Sequence, residues 1–265
     1  MSEQKHAEYG DPRALDSEIL RSVVGSGVHG VAIEGTDDHD EMGVYVEDAK
    51  TVLGVHRSRG DYIWRTQPEG ARSGHGDVDL VLYSVRKYLA LAAKGNPTAL
   101  LPLFAPEESL VTTTYFGDML RTNRDWFLSQ QAVERFLGYM HSQHERMLGG
   151  GKRNRVPNRP ELIEKYGWDV KYGSHALRLA HQGYELTTEG TLTLPLKDKV
   201  RSRVLSVKRG EVERDVVSEE IAFLENLTKQ ALEAGKTVLP PEPNLEKIEE
   251  WSVYVHQSYW LNNHI

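Results

Sequence analysis

The chain contains no cysteine. That excludes disulfides, thiolate zinc sites, iron–sulfur clusters and cysteine nucleophiles at once. It also lacks a long apolar run. The longest uninterrupted one, Tyr88 to Ala93, is far short of the ~20 residues that span a bilayer. Met1 to Pro12 is polar and mixed in charge and does not read as a signal peptide, so a cytoplasmic protein with no membrane partner is expected. No internal repeat or low-complexity tract appears. What remains is an ordinary globular composition, 39% hydrophobic and 27% charged over 265 residues, long enough for one large domain or two modest ones.

The formal net charge of -7 is unevenly spread. Residues 1–50 hold twelve acids against four bases, a net of -8, while the other 215 residues carry 28 bases and 27 acids. A self-repelling cluster is either a solvated loop or a cation site.

Residues 14–22 read as helix and 43–46 as strand. Residues 51–66 suit a hairpin or edge strands, and the Pro/Gly/Ser/His-rich 67–76 a loop. From Asp77 to Tyr83 apolar residues alternate with aspartates, which predicts a strand with Asp77 and Asp79 on one face. Val85–Ala93 reads as a helix burying Val85, Tyr88, Leu89 and Ala92, stopped by Gly95-Asn96-Pro97. Further helices are expected over 98–105, 115–122, 124–148, 168–183, 214–235 and 244–262. The Thr/Leu alternation of 191–196 suits a short strand. These elements predict an α+β fold: an α/β domain over 1–110, with a mixed sheet, followed by a mostly helical domain over 111–265.

Gly25-Ser26-Gly27-Val28-His29-Gly30 fits G-x-G-x-x-G, but no room for a full helix follows it and an acidic cluster does. A dinucleotide site is therefore not supported, and no Gly-Lys-Ser/Thr marks a Walker loop. Asp38-His39-Asp40 leads into the strand Gly43–Val46. If the strand begins near Asp38, Asp38 and Asp40 share a face. Two such carboxylates repel unless a hard cation such as Mg²⁺ or Mn²⁺ lies between them. Asp79 is placed to supply a third ligand, as a two-metal phosphoryl-transfer site requires. Gly25-Ser26 would then form a tight turn whose backbone N–H groups and hydroxyl meet a phosphate.

With these residues the chain resembles the DNA polymerase β-like nucleotidyltransferase superfamily, and within it the branch associated with RNA repair and RNA ligases. The resemblance rests on Gly25-Ser26-Gly27-Val28-His29-Gly30, Asp37-Asp38-His39-Asp40 and Gly43-Val44, then Asp79, Tyr83, Arg86-Lys87 and Gly95-Asn96-Pro97. It continues through Tyr166-Gly167-Trp168-Asp169-Val170-Lys171, His175, Arg178 and Arg209-Gly210-Glu211, covering about residues 20–260. The departures are Asp37 at a position that is usually Ser, Gly27 where Arg is common, and one extra residue between Gly30 and Asp38. The resemblance implies a polymerase β-like catalytic domain and transfer of an NMP from an NTP to an acceptor hydroxyl. The acceptor is an RNA end, or otherwise a protein or small molecule. Asp38, Asp40 and Asp79 would be the catalytic and metal-binding residues, with Gly25 and Ser26 on the β/γ-phosphates. His29 would shape the turn rather than bind metal. Lys171, His175 and Arg178, at i, i+4 and i+7 on one helix face, would be triphosphate contacts from the helical domain. A catalytically silent nucleotide- or RNA-binding module and a metal-dependent phosphohydrolase are the competing readings.

The remaining histidines, including the His39-Asp40 dipeptide and His141/His144, lack the further ligands of a metal-dependent hydrolase and are read as surface or core residues. The basic clusters Lys152–Arg159 and Lys197–Arg209 could each track a phosphate backbone, but neither is interleaved with aromatics as single-strand binders often are, and a solvated surface is the favoured reading.

Overall fold

The computed structural model describes residues 7–35, 38–55, 58–68, 70–71, 73–150 and 159–263. The chain divides into two compact units, Met1–Phe127 with Asn244–Ile265, and Leu128–Pro243.

In the first unit, strands β1 (Ala7–Tyr9), β2 (Glu18–Val23), β3 (His39–Tyr45), β4 (Asp61–Arg65), β5 (Val78–Ser84) and β6 (Leu110–Thr113) form one sheet in the order β1-β4-β5-β3-β2-β6. β3 and β5 run parallel and every other pair antiparallel, so the sheet is mixed, as expected of an α+β fold. Parallel neighbours need a long crossover, and β4 lies within this one. The helices of this unit are α1 (Gly25–Val28), α2 (Ala49–Leu53), α3 (Val85–Ala93), α4 (Leu101–Phe104), α5 (Tyr115–Thr122) and, from the end of the chain, a helix over Leu245–Asn263. Helix α3 buries Val85, Tyr88, Leu89 and Ala92, the face its spacing predicted. The Ser84 side chain caps its N-terminus.

Two local readings are corrected. Residues 14–22 are not a helix. A 3-10 turn over Pro12–Ser17 is capped by the Asp11 carboxylate, and then β2 begins. β2 lies between β3 and β6, and its adjacent residues Ile19 and Leu20 are both buried. The register of β2 against β3 shifts between Glu18 and Leu20, and such an irregularity breaks the alternation that marks a half-buried strand. Residues 191–196 form no strand, because the Thr/Leu alternation finds no partner strand among the described residues. Among the described residues of 51–66 only β4 is strand. The preceding α2 is nucleated by Asp48, whose Oδ1 accepts from the Thr51 N–H at 2.6 Å.

The division expected at residue 110 also differs from the one observed. β6 pairs with β2, and the Thr114 hydroxyl that starts α5 donates to the Ile19 carbonyl at 3.1 Å. Residues 111–127 therefore belong with the sheet. So does the last helix. The Asn244 N–H donates to the Trp126 carbonyl at 2.8 Å, and the Trp260 indole N–H to the Glu47 carbonyl at 2.8 Å. The Glu47 side chain, 3% exposed, receives Arg86 at 2.8 Å and faces His256 Nε2 at 3.7 Å. Burial alone would raise the Glu47 carboxyl, but His256 and Arg86 outweigh it and hold it at about 2, below its ordinary 4.5. A depressed carboxyl stabilises the fold fully above its ordinary value and loses that contribution as pH falls toward the folded one. Acid titration followed by circular dichroism should therefore show a stability loss between pH ~4.5 and ~2 that is smaller in Glu47→Gln.

The second unit contains α6 (Gln130–Met147), α7 (Pro160–Tyr166), α8 (Val170–Glu189), α9 (Asp198–Lys208) and α10 (Arg214–Glu233); the Leu245–Asn263 helix of the first unit is α11. α8 is central and packs against α6, α7, α9 and α10. Gly173 on α8 lies against the Trp168 ring and Met147 Sδ, where a Cβ would not fit. Gly210 meets the Tyr166 ring in the same way. Two of the sequence blocks singled out above are thus packing contacts of this unit.

Candidate active site

The site is set by strand register. Asp40 is the second residue of β3 and stands directly opposite Asp79 of β5 in the parallel pair. Asp38 lies two residues before Asp40, just ahead of the strand. Asp38, Asp40 and Asp79 each offer a carboxylate oxygen within 4.8 Å of the others, and all three are half-buried. Among the described residues this is the only group of three or more potential ligands brought so close. All the donors are hard oxygens, the set that suits Mg²⁺ or Mn²⁺.

The turn after β2 is built against this trio. The Val24 N–H donates to the Asp40 carbonyl at 2.8 Å. Gly25 has φ 63 and a Cβ there would run into the Asp40 carboxylate. Glycine is thus required both for the left-handed backbone and for the close approach. The buried His29 brings Nδ1 to 2.5 Å from the Gly25 carbonyl, so it shapes the turn, as expected. The Ser26 hydroxyl has no partner among the described residues.

Asp77 is not part of the trio. Its carboxylate accepts from Thr66 Oγ1 at 2.8 Å and from the Gly74 N–H at 2.9 Å, fastening the β4–β5 loop. Asp79 is held from the same loop and from the end of β4. Gln67 Nε2 donates to Oδ1 at 2.7 Å, Ser73 Oγ donates to Oδ2 at 2.6 Å, and Arg65 Nε lies 3.5 Å from Oδ1. Gln67, Ser73 and Arg65 did not stand out in the sequence. Arg65 is the cross-strand partner of Asp79, so any polar residue just beyond it reaches the start of β5. Only the β4–β5 pairing makes that visible.

His39 projects to the opposite side of β3 from Asp40. It is exposed and meets Glu41 Oε1 at 2.9 Å, so the His-Asp dipeptide does not converge on one ion. His141 pairs with Glu225 at 2.9 Å and His144 with the Ser218 hydroxyl at 3.1 Å, the ordinary roles expected. A cavity of about 970 Å³ opens at the far end of β3, walled by Ser17, Tyr45, Glu47, Asp48 and Tyr259 among others; none of the trio lines it.

In the second unit, Lys171, His175 and Arg178 share one face of α8. Asp169 caps this helix, accepting from the Lys171 and Tyr172 N–H groups at 3.0 and 3.1 Å. Burial, and then the positive charges of Arg178, Lys171, Arg159 and Lys208, hold the His175 imidazole well below its usual range. Burial also lowers the Arg178 guanidinium, to about 10, and its Nη1 donates to Gln182 Oε1 at 2.7 Å. Lys171 and Arg178 thus flank a neutral His175 on one helix face. The stripe along α9 differs. Arg201 pairs with Asp198 at 2.7 Å, Arg203 with Glu220 at 2.8 Å, and Lys197 with Glu189 at 2.6 Å. Three of its six basic side chains are thus matched within the unit. The basic residues Lys152, Arg153 and Arg155, and Asp37 at the head of the acidic motif, lie outside the described residues.

A sequence model of the RNA repair pathway DNA polymerase beta family matches residues 9–251. The chain belongs to this family. Membership gives it a polymerase β-like nucleotidyltransferase fold and a nucleotidyltransferase-type function. No match is found among curated proteins. A solved structure, a nucleotidyltransferase-like protein from Exiguobacterium sibiricum 255-15, is similar at 12% identity and a TM-score of 0.31. That alignment covers 81% of this chain and 70% of the other. No helix among the described residues is long and apolar enough to cross a membrane. Within this polymerase β family member, the acidic trio and the Gly25-Ser26 turn sit together at one end of the strands, where β2 ends and β3 and β5 begin.

Proposed function

We propose that the protein is a metal-dependent nucleotidyltransferase that moves an NMP from an NTP to an acceptor hydroxyl and releases pyrophosphate. The observation that carries this reading is the convergence of Asp38, Asp40 and Asp79 within 4.8 Å, beside a turn that leaves a serine hydroxyl unused. Divalent Mg²⁺ or Mn²⁺, held by these three carboxylates, would activate the acceptor oxygen and neutralise the charge developing on the phosphates. The chain does the rest. Asp79, oriented by its hydrogen bonds, takes the acceptor's proton. Gly25 and Ser26 hold the β- and γ-phosphates through backbone N–H groups and the hydroxyl. Lys171, His175 and Arg178 supply further triphosphate contacts, with His175 as a neutral donor. The family's place in an RNA repair pathway supports an RNA end as the acceptor.

The test uses α-labelled NTPs with Mg²⁺ or Mn²⁺ and panels of RNA ends, proteins and small alcohols. Label transfer with pyrophosphate release, lost in Asp38→Ala, is expected. Release of free nucleotide and phosphate without an adduct would make it a phosphohydrolase, and metal-independent NTP binding without turnover a silent binding module.

Gly25→Ala should be the most damaging single-methyl addition in the turn. Strained left-handed backbone costs about 1–2 kcal/mol, and the added methyl displaces the Asp40 carboxylate. Mn²⁺ affinity, measured by calorimetry, should fall at least ~10-fold.

A further inference from the structure

The β4–β5 loop brings a hydroxyl of the chain itself onto the trio. Ser73 Oγ donates to Asp79 Oδ2 at 2.6 Å. Its oxygen also accepts from Gln67 Nε2, which donates to Asp79 Oδ1 at 2.7 Å as well. Gln67 is 6% exposed. The loop is pinned on either side of Ser73. Thr66 Oγ1 lies 3.1 Å from Gln67 Oε1 and 2.8 Å from Asp77 Oδ1, and it accepts from the Val78 N–H at 3.0 Å.

A nucleophilic hydroxyl is recognised by a base within about 2.6–3.2 Å and by a third group that orients the base. Ser73, Asp79 and Gln67 stand in those three relations. A serine oxygen has one proton and two lone pairs. Here the proton is committed to the Asp79 carboxylate and one lone pair to Gln67, which leaves one lone pair for attack. A serine that merely steadied Asp79 would need only the donated hydrogen bond.

We propose that Ser73 is itself an acceptor, a self-modification site to which the protein attaches an NMP taken from an NTP. This rests on the reading of Asp79 as the group that takes the acceptor's proton. Ser73 Oγ forms a bond to the α-phosphorus of the NTP, and the bond from that phosphorus to the oxygen bridging to the β-phosphate breaks. Pyrophosphate leaves with the electron pair, and the Oγ proton passes to Asp79 Oδ2 and then to solvent. The product is a serine–nucleotide phosphodiester, with no change of oxidation state.

The experiment is peptide mass spectrometry of the full-length protein, both as purified from cells and after incubation with Mn²⁺ and each NTP. Mn²⁺ and NTP binding are measured in parallel by calorimetry. The expected result is one NMP on the peptide carrying Ser73, released by a phosphodiesterase and not by a monoester phosphatase. The adduct should be lost in Ser73→Ala and in Asp38→Ala and kept in Ser73→Thr, which retains a hydroxyl. The Asp38→Ala and Ser73→Thr arms decide the matter even if Ser73→Ala does not fold. A protein that binds metal and NTP and labels a separate acceptor while Ser73 stays unmodified would overturn the inference and leave the proposed function standing. A protein that shows no metal-dependent NTP binding and no transfer would bring down both.

Discussion

Asp40→Asn is expected to lower the proposed nucleotidyl transfer by ~10³-fold or more, without destabilising the protein in metal-free buffer. Losing a residue that only orients a metal ligand costs about 10–100-fold in affinity or activity, and loss of a ligand should exceed that. Asp40 stands across from Asp79 in the parallel register and against Gly25 in the turn. Asparagine keeps the shape and one oxygen but removes the charge. Without metal the trio brings like charges close together, so the melting temperature of the neutral variant in chelator should stay level or rise. With Mn²⁺ added, wild type should gain melting temperature, because a ligand that binds only the folded state stabilises it, while the variant should not. Activity and metal-free stability thus move independently, which separates a lost ligand from a damaged fold.

Glu47→Ala has the largest expected effect on stability, about 3–5 kcal/mol, the cost of breaking a buried ion pair from one side. Glu47 is 3% exposed and meets Arg86 at 2.8 Å and His256 at 3.7 Å. Arg86 is partly open to water, so its own loss is softened. His256, 6% exposed, has no such relief. The Trp260 indole bonds to the Glu47 carbonyl rather than to its side chain, so that link survives the substitution. Urea denaturation should show the loss, and hydrogen exchange should show α11 opening ahead of the β3–β5 pair. Glu47→Gln should cost less than alanine, because the amide can still accept one hydrogen bond from Arg86.

The acidic trio was legible because each member lies on or beside a strand. Period 2 places Asp38 with Asp40, and the run from Asp77 to Tyr83 marks the strand of Asp79. The same logic overreached at Asp77, which shares the parity of Asp79 but precedes β5 and is taken up by Thr66 and Gly74. Helix α3 was legible down to its buried residues, since nothing outside the helix competes with its apolar stripe. β2 was not, because its register shift between Glu18 and Leu20 puts two buried residues side by side and breaks the period of 2. Nor was β6, four residues long and identified only by its pairing with β2. The hold of Gln67 and Ser73 on Asp79 depends on a loop folding back over a strand start. The bond from Trp260 to Glu47 spans 213 positions. Contacts of that kind are set by tertiary packing, and no local pattern encodes them.

The acidic excess in the first 50 residues now divides into distinct parts. Glu47 is buried against Arg86, Asp11 and Asp48 flank Arg13, and Asp38 and Asp40 face Asp79. Among the described residues, only Asp38 and Asp40 converge with a third carboxylate as a potential ligand set. Titration of Mn²⁺ into metal-free protein by calorimetry tests that most directly. Saturable binding is expected in wild type, abolished when Asp38 and Asp40 are both replaced by alanine and strengthened by a non-hydrolysable NTP analogue. Heats no greater than dilution in wild type, or binding unchanged in the double variant, would contradict a metal-dependent transferase and return the trio to a solvated acidic edge.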